Sequence, residues 1–165
     1  MTARCGFDWR RQDPHSTTSL GLVKPTEREH PMLFIRCPFC HKPVFHFFYQ
    51  RHRAKHTALR ADGQMTDHIT VHPTGRYQGS LRGVPQVYVH RWCAVGTKMP
   101  EEIIRSYLVN PFLYGGGSFC CGCNDYAPQE QLFWHETGQC MAEYNRELQE
   151  GYFCVHGEPP PKPTV

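Results

Sequence analysis

Two kinds of side chain in this chain occur at spacings that bind metal. His90-Arg91-Trp92-Cys93 and Cys120-Cys121-Gly122-Cys123 are separated by 26 residues, and Cys37-Pro38-Phe39-Cys40 precedes His52 and His56. Thiolate and imidazole are the ligands Zn²⁺ prefers, and a structural zinc takes four of them in a closed tetrahedron. Two ligands separated by two residues can share one ion, because a tight knuckle turns both side chains to the same side. His90, Cys93, Cys120 and Cys123 therefore make one ligand set, and Cys37, Cys40, His52 and His56 a second. This spacing predicts about two Zn²⁺ ions per chain. Other groupings use the same residues. Cys37, Cys40, Cys120 and Cys123 would make one composite site, and His41 or His46 would serve in place of a downstream histidine. Cys121 lies inside its knuckle as a bystander, although C-C-G-C permits a register swap.

Competing chemistries fit less well. The chain has nine cysteines and eleven histidines. An odd cysteine count, C-x2-C pairs beside histidines and an N-terminus without the apolar stretch of a signal peptide all argue against a disulfide framework. The same N-terminus argues against covalent haem, although Cys37–His41 matches C-x-x-C-H. Zinc deaminase, H-E-x-x-H and nucleophile-elbow patterns are missing, so no residue is assigned to catalysis. An open metal site on Asp67, His68 and His72, with Glu136 nearby, is the enzymatic alternative. Closed, thiolate-rich sets instead predict a scaffold.

The elements that must hold these ligands read as follows. Met32–Arg36 is apolar and β-prone and leads directly into Cys37. Val44–Tyr49 reads as a return strand, followed by a helix through His52 and His56, which lie four apart on one helical face. Residues 61–83 are rich in turn formers and read as a connecting loop. Val84–His90 alternates like a strand. Pro100, Glu101 and Glu102 open a helix over about 100–109, whose buried stripe is Ile103, Ile104, Tyr107 and Leu108. Thr137 reads as the cap of a second helix over about 138–149, with Met141, Tyr144 and Leu148 on one face and Gly151 near its end. Residues 1–30 read as a flexible tail and 151–165 as a proline-rich disordered tail. The expected order is thus a tail, a Cys2His2-type module over 31–60, the loop 61–83, an H-x2-C…C-x2-C module over 84–150, and a second tail. Fourteen prolines and 14 glycines in 165 residues imply many turns around a small core. Small cores of that kind depend on staples. The fold class expected is a small α+β, metal-stapled fold with short strands and two or three helices.

Two resemblances follow from these motifs. Cys37, Cys40, His52 and His56 resemble a C2H2 zinc finger over about 20 residues, with eleven residues rather than twelve between the pairs. Residues 84–150 resemble treble-clef-like or zinc-ribbon-like modules in their order of strand, knuckle, helix and knuckle.

Charge points to partners. The net charge of +3 conceals +2 over residues 1–36, +7 over 37–100 and −6 over 101–165. Arg51, Arg53, Lys55 and Arg60 lie beside the aromatic run Phe45–Tyr49, and basic groups neutralise phosphates while aromatic rings stack bases. Nucleic acid is the expected partner of the basic 37–100 region, and a protein-interaction adaptor docking through the acidic C-terminal helix is the alternative. Neither a signal peptide nor a transmembrane stretch of ~20 apolar residues is present, which predicts a cytoplasmic protein with no membrane partner.

Overall fold

The computed structural model describes residues 33–160. The expected tail 1–30 and residues 161–165 lie outside that range. The fold is small and α+β, with short antiparallel strands and three helices.

Three hairpins built on one pattern organise it. Strand β1 (Phe34–Arg36) pairs with β2 (Pro43–Phe45), β3 (Val87–His90) with β4 (Gly96–Lys98), and β5 (Gly117–Cys120) with β6 (Asp125–Pro128). In each turn the amide following the second knuckle residue donates back to the carbonyl of the first. The bonds are His41 to Cys37 at 2.8 Å, Ala94 to His90 at 2.8 Å and Asn124 to Cys120 at 2.9 Å. His41, Ala94 and Asn124 are also the non-glycine residues with positive φ among those described, at 59°, 57° and 52°. That conformation brings Cβ close to the following carbonyl at a cost of roughly 1–2 kcal/mol. The chain accepts it three times, each time immediately after a metal-type side chain.

Helix α1 (Tyr49–Thr57) follows the first hairpin through a 3₁₀ turn at His46–Phe48. The return strand expected to reach Tyr49 stops at Phe45, because its partner β1 is only three residues long and Phe34 is already paired with Phe45. Helix α2 (Glu101–Tyr107) follows β4, and its first turn carries Glu101 and Glu102 where the helix terminus is positive. Strand β7 (Leu132–Trp134), unforeseen in the sequence, pairs with β3 to complete a sheet of order β4-β3-β7. Helix α3 (Met141–His156) corrects the expected 138–149. Its N-cap is Cys140 rather than Thr137, it runs through Gly151, and it ends where Gly157 turns left-handed at φ 76°. Residues 151–156, expected as tail, are therefore helical. Packing explains the extension, since Tyr152 and Phe153 in the added turns contact Phe112 edge to face.

The core lies among α2, α3 and the three-stranded sheet, around Ile104, Leu108, Leu132, Trp134 and Leu148. The turn-rich residues 61–83 form almost no regular structure, yet they are held on both sides. Thr70 N–H donates to Pro38, Val71 N–H to the Ser106 hydroxyl, and the Tyr114 hydroxyl to Ile69. The turn at Gly63, with φ 83°, approaches the third knuckle so closely that a Cβ there would lie 2.8 Å from the Asn124 carbonyl. No helix among the described residues is long and apolar enough to cross a membrane.

Ala94 lacks the polar side chain that eases a left-handed backbone. Ala94→Gly is expected to stabilise the metal-loaded protein by about 0.5–1 kcal/mol, the relief of strain exceeding the added entropy of the unfolded chain. Urea melts of the two proteins measure the difference.

Candidate metal centres

Each donor set is assembled by two elements. Cys37 and Cys40 come from the β1–β2 turn, and His52 and His56 from one face of α1. His90 and Cys93 come from the β3–β4 turn, and Cys120 and Cys123 from the β5–β6 turn. Within each set one ligand atom per residue lies within 4.8 Å of all the others, so two Cys/His groups could each hold a metal ion. The four cysteines of the composite alternative are divided between these groups. His41 and His46 belong to neither: His41 Nε2 is paired with the Thr70 hydroxyl at 3.1 Å, and His46 lies edge-on to Phe47.

In the first set, Cys40 Sγ is 3.3 Å from His52 Nε2, and the His52 and His56 Nε2 atoms are 3.0 Å apart. The other nitrogen of His56, Nδ1, donates to Asp67 Oδ2 at 2.7 Å. A carboxylate behind a histidine fixes the tautomer and leaves Nε2 with its lone pair toward the donor group. Partial burial, followed by the neighbouring His56, Lys55 and Lys42, lowers the His52 pKa, which keeps the ring neutral and able to ligate. Asp67, expected beside His68 in an open metal site, instead backs a histidine of the first set.

In the second set, His90 Nδ1 is 3.3 Å from Cys123 Sγ and 3.6 Å from Cys93 Sγ, and the Cys93 and Cys120 sulfurs are 3.4 Å apart. His90 Nε2 faces Gln131 Oε1 at 3.3 Å, and that same oxygen accepts the Trp92 indole N–H at 3.1 Å. Gln131 thus plays for His90 the part that Asp67 plays for His56, with the tautomer reversed. The thiols compete for charge. Donation from the Val95 backbone lowers the Cys93 thiol to about 7, while its hydrogen bond with Cys93 pushes Cys123 up to about 11. A cation at the centre removes that conflict by stabilising every thiolate at once. Cys37, Cys40, Cys93, Cys120, Cys121 and Cys123 form no disulfide.

Gly122 is needed here for space. A Cβ on it would sit 2.7 Å from Val95 and 2.8 Å from the Cys93 sulfur. Cys121 is exposed, and its amide receives support from the Thr97 hydroxyl at 3.1 Å. The residues of the open-site alternative lie elsewhere. His72 is exposed and paired with Thr74 at 2.8 Å, His68 lies in a polar recess with Arg76 and Glu102, and the described residues show no donor group that includes either histidine. Glu136 is structural: one of its oxygens accepts the Gln86 and Val87 amides at 2.8 and 3.0 Å.

Asp67→Asn is expected to weaken metal binding at the first set about 10- to 100-fold without disturbing the second, as loss of an orienting carboxylate does elsewhere. Competition with a chromogenic chelator reads both affinities. Gly122→Ala is expected to lower stability by about 1–3 kcal/mol through overpacking against Val95 and Cys93, whereas Cys121→Ser leaves the melting curve unchanged. Compared with protein-family models, curated proteins and solved structures, the chain matches none of them.

Proposed function

We propose that the chain is a zinc-scaffolded, non-catalytic module that binds nucleic acid through its first knuckle and α1. Zinc is favoured by the donor chemistry and spacing. A tetrahedron with zinc–ligand distances of about 2.0–2.3 Å has edges of roughly 3.3–3.8 Å. The closest donor separations, 3.0 to 3.6 Å, lie in or just under that range, and every donor of a set lies within 4.8 Å of the others. Four protein donors complete each coordination shell, which leaves no position for a reactive water. The first set has the strand, strand and helix order of a zinc finger, and the second joins two knuckle-bearing hairpins as a zinc ribbon does.

One observation carries the nucleic-acid reading. Phe47 and Phe48 are 79% and 62% exposed at the start of α1, in a stretch with no Asp or Glu between Glu29 and Asp62. Large apolar rings normally leave water, and contiguous exposed patches mark interaction sites. Phe34, also exposed, joins them through ring contacts to Phe45. Arg51 and Lys55 are exposed on α1, and Arg53 is half-buried there. Arg60 lies beyond the helix and is paired with Asp62 at 3.6 Å, so it supplies less free charge than the other three. Cations beside open phenylalanine faces suit an unpaired strand, whose phosphates follow the charge while its bases stack.

Elemental analysis of the purified protein is expected to give two zinc ions per chain. Fluorescence anisotropy at low salt is expected to show single-stranded oligonucleotides binding more tightly than duplex. Replacing Arg51, Arg53 and Lys55 together by Ala should flatten the salt slope by roughly 2, in proportion to the phosphates no longer neutralised. Phe47→Ala with Phe48→Ala should weaken single-strand binding at an unchanged slope, by about 1–3 kcal/mol per stacked base. A wild-type protein that retards no probe at low salt would instead indicate a protein-binding adaptor.

A further inference from the structure

A cavity of about 240 Å³ lies among α2, α3, the β5–β6 hairpin and the three-stranded sheet, and none of the eight metal-type donors lines it. Its walls are aromatic. Tyr88, Trp134, Tyr144 and Tyr107 meet successively edge to face, with ring centroids 6.0, 5.7 and 6.3 Å apart. An engineered apolar cavity of about 150 Å³ is enough to admit benzene, so the space here suits a fused bicyclic ring.

Two polar groups on this lining lack partners. The Trp134 indole N–H and the Tyr107 hydroxyl are buried with no hydrogen-bond partner. Burial, and after it the charge and hydroxyl of the adjacent Tyr144, raises the Tyr107 phenol far above its ordinary range. Buried donors are ordinarily satisfied, so these two require a polar partner within the cavity, whether water or a guest. The side-chain amides of Gln129 and Asn145 also line the cavity. No carboxylate lines the cavity, and Lys98 stands exposed at its edge, which disfavours a cationic guest. Ring nitrogens and carbonyls match the two donors, and the amides can both give and accept along the edge of a planar ring.

We propose that this cavity binds a planar nitrogen heteroaromatic of purine size, stacked among Tyr88, Tyr107, Tyr144 and Trp134 and recognised along its edge by Trp134, Tyr107, Gln129 and Asn145. The ring arrives either as a free base or nucleoside, or as an unstacked base of a strand. The recognition chemistry is the same in both cases. This site is separate from α1 and stands whether or not α1 binds nucleic acid.

The test is an NMR titration of the metal-loaded full chain that follows the indole N–H signals of Trp9, Trp92 and Trp134, with Trp134→Phe assigning the last. Adenine, hypoxanthine, adenosine and the trinucleotide ApApA are added in separate experiments. The Trp134 signal is expected to shift and saturate with at least one purine while the Trp92 signal stays in place. Tyr107→Phe should weaken that binding about tenfold, the effect of one lost hydrogen bond in a buried site. Because Tyr107 lies away from both donor sets, the substitution should leave metal content undiminished. Saturation by ApApA identifies a base within a strand as a guest, and saturation by adenine or hypoxanthine alone identifies a free heterocycle. An unmoved Trp134 signal at millimolar concentration of every purine would overturn the proposal. So would naphthalene binding as tightly as the purines, or Tyr107→Phe leaving affinity unchanged, since the cavity would then be an apolar void.

Discussion

Four sulfur and nitrogen donors held within 4.8 Å of one another are the arrangement on which the fold depends. Without a cation such a group is self-defeating, because thiolates repel and desolvated imidazoles cannot also carry charge. The opposite displacements of the Cys93 and Cys123 pKa values, to about 7 and about 11, express that conflict. Metal binding turns it into attraction, and its free energy becomes folding free energy. Three left-handed non-glycine residues, one behind each knuckle, are tolerable on the same terms.

The metal sets also decide what the rest of the chain can do. Because the first set fixes α1 against its hairpin from one side, the helix needs no apolar stripe, and its nine residues bury little beyond Tyr49. The opposite surface is left free for phenylalanines and cations. In the second half the knuckles tie the β3–β4 and β5–β6 hairpins together, and α2 and α3 close over the sheet. Scaffold and core divide the work there: the donor set gathers the hairpin ends, and the aromatic cluster around Trp134 fills the middle.

Hydrogen bonds from the backbone of the irregular segment join the two halves. Thr70 to Pro38, Val71 to Ser106, and Met65 to the Tyr126 hydroxyl bridge the irregular segment to both sides. The same segment supplies Asp67 to His56, so loop position and metal-site geometry are linked. Loops commonly carry function when a rigid scaffold places them, and here the loop helps to place the scaffold.

Much of this was legible in local sequence, because ligand type and spacing are local properties. The pairing of His90 and Cys93 with Cys120 and Cys123, and of Cys37 and Cys40 with His52 and His56, could be written down from spacing, and the donor atoms of those residues do gather in space. The amphipathic stripe of α2 was readable for the same reason. What the sequence could not set was anything decided by a distant partner. Strand β7 exists because β3 offers an edge, and β2 ends early because β1 is short. Helix α3 continues past Gly151 because Phe112 receives Tyr152 and Phe153. The roles of Asp67, Gln131 and Gly122 were equally hidden. Each acts on a donor residue that the fold brings to it, across 11 residues for Asp67, 41 for Gln131 and 29 for Gly122. Spacing along the chain therefore determined which side chains could share an ion, and only the tertiary structure determined what surrounds each donor set, because orientation and close approach arise between segments the sequence keeps apart.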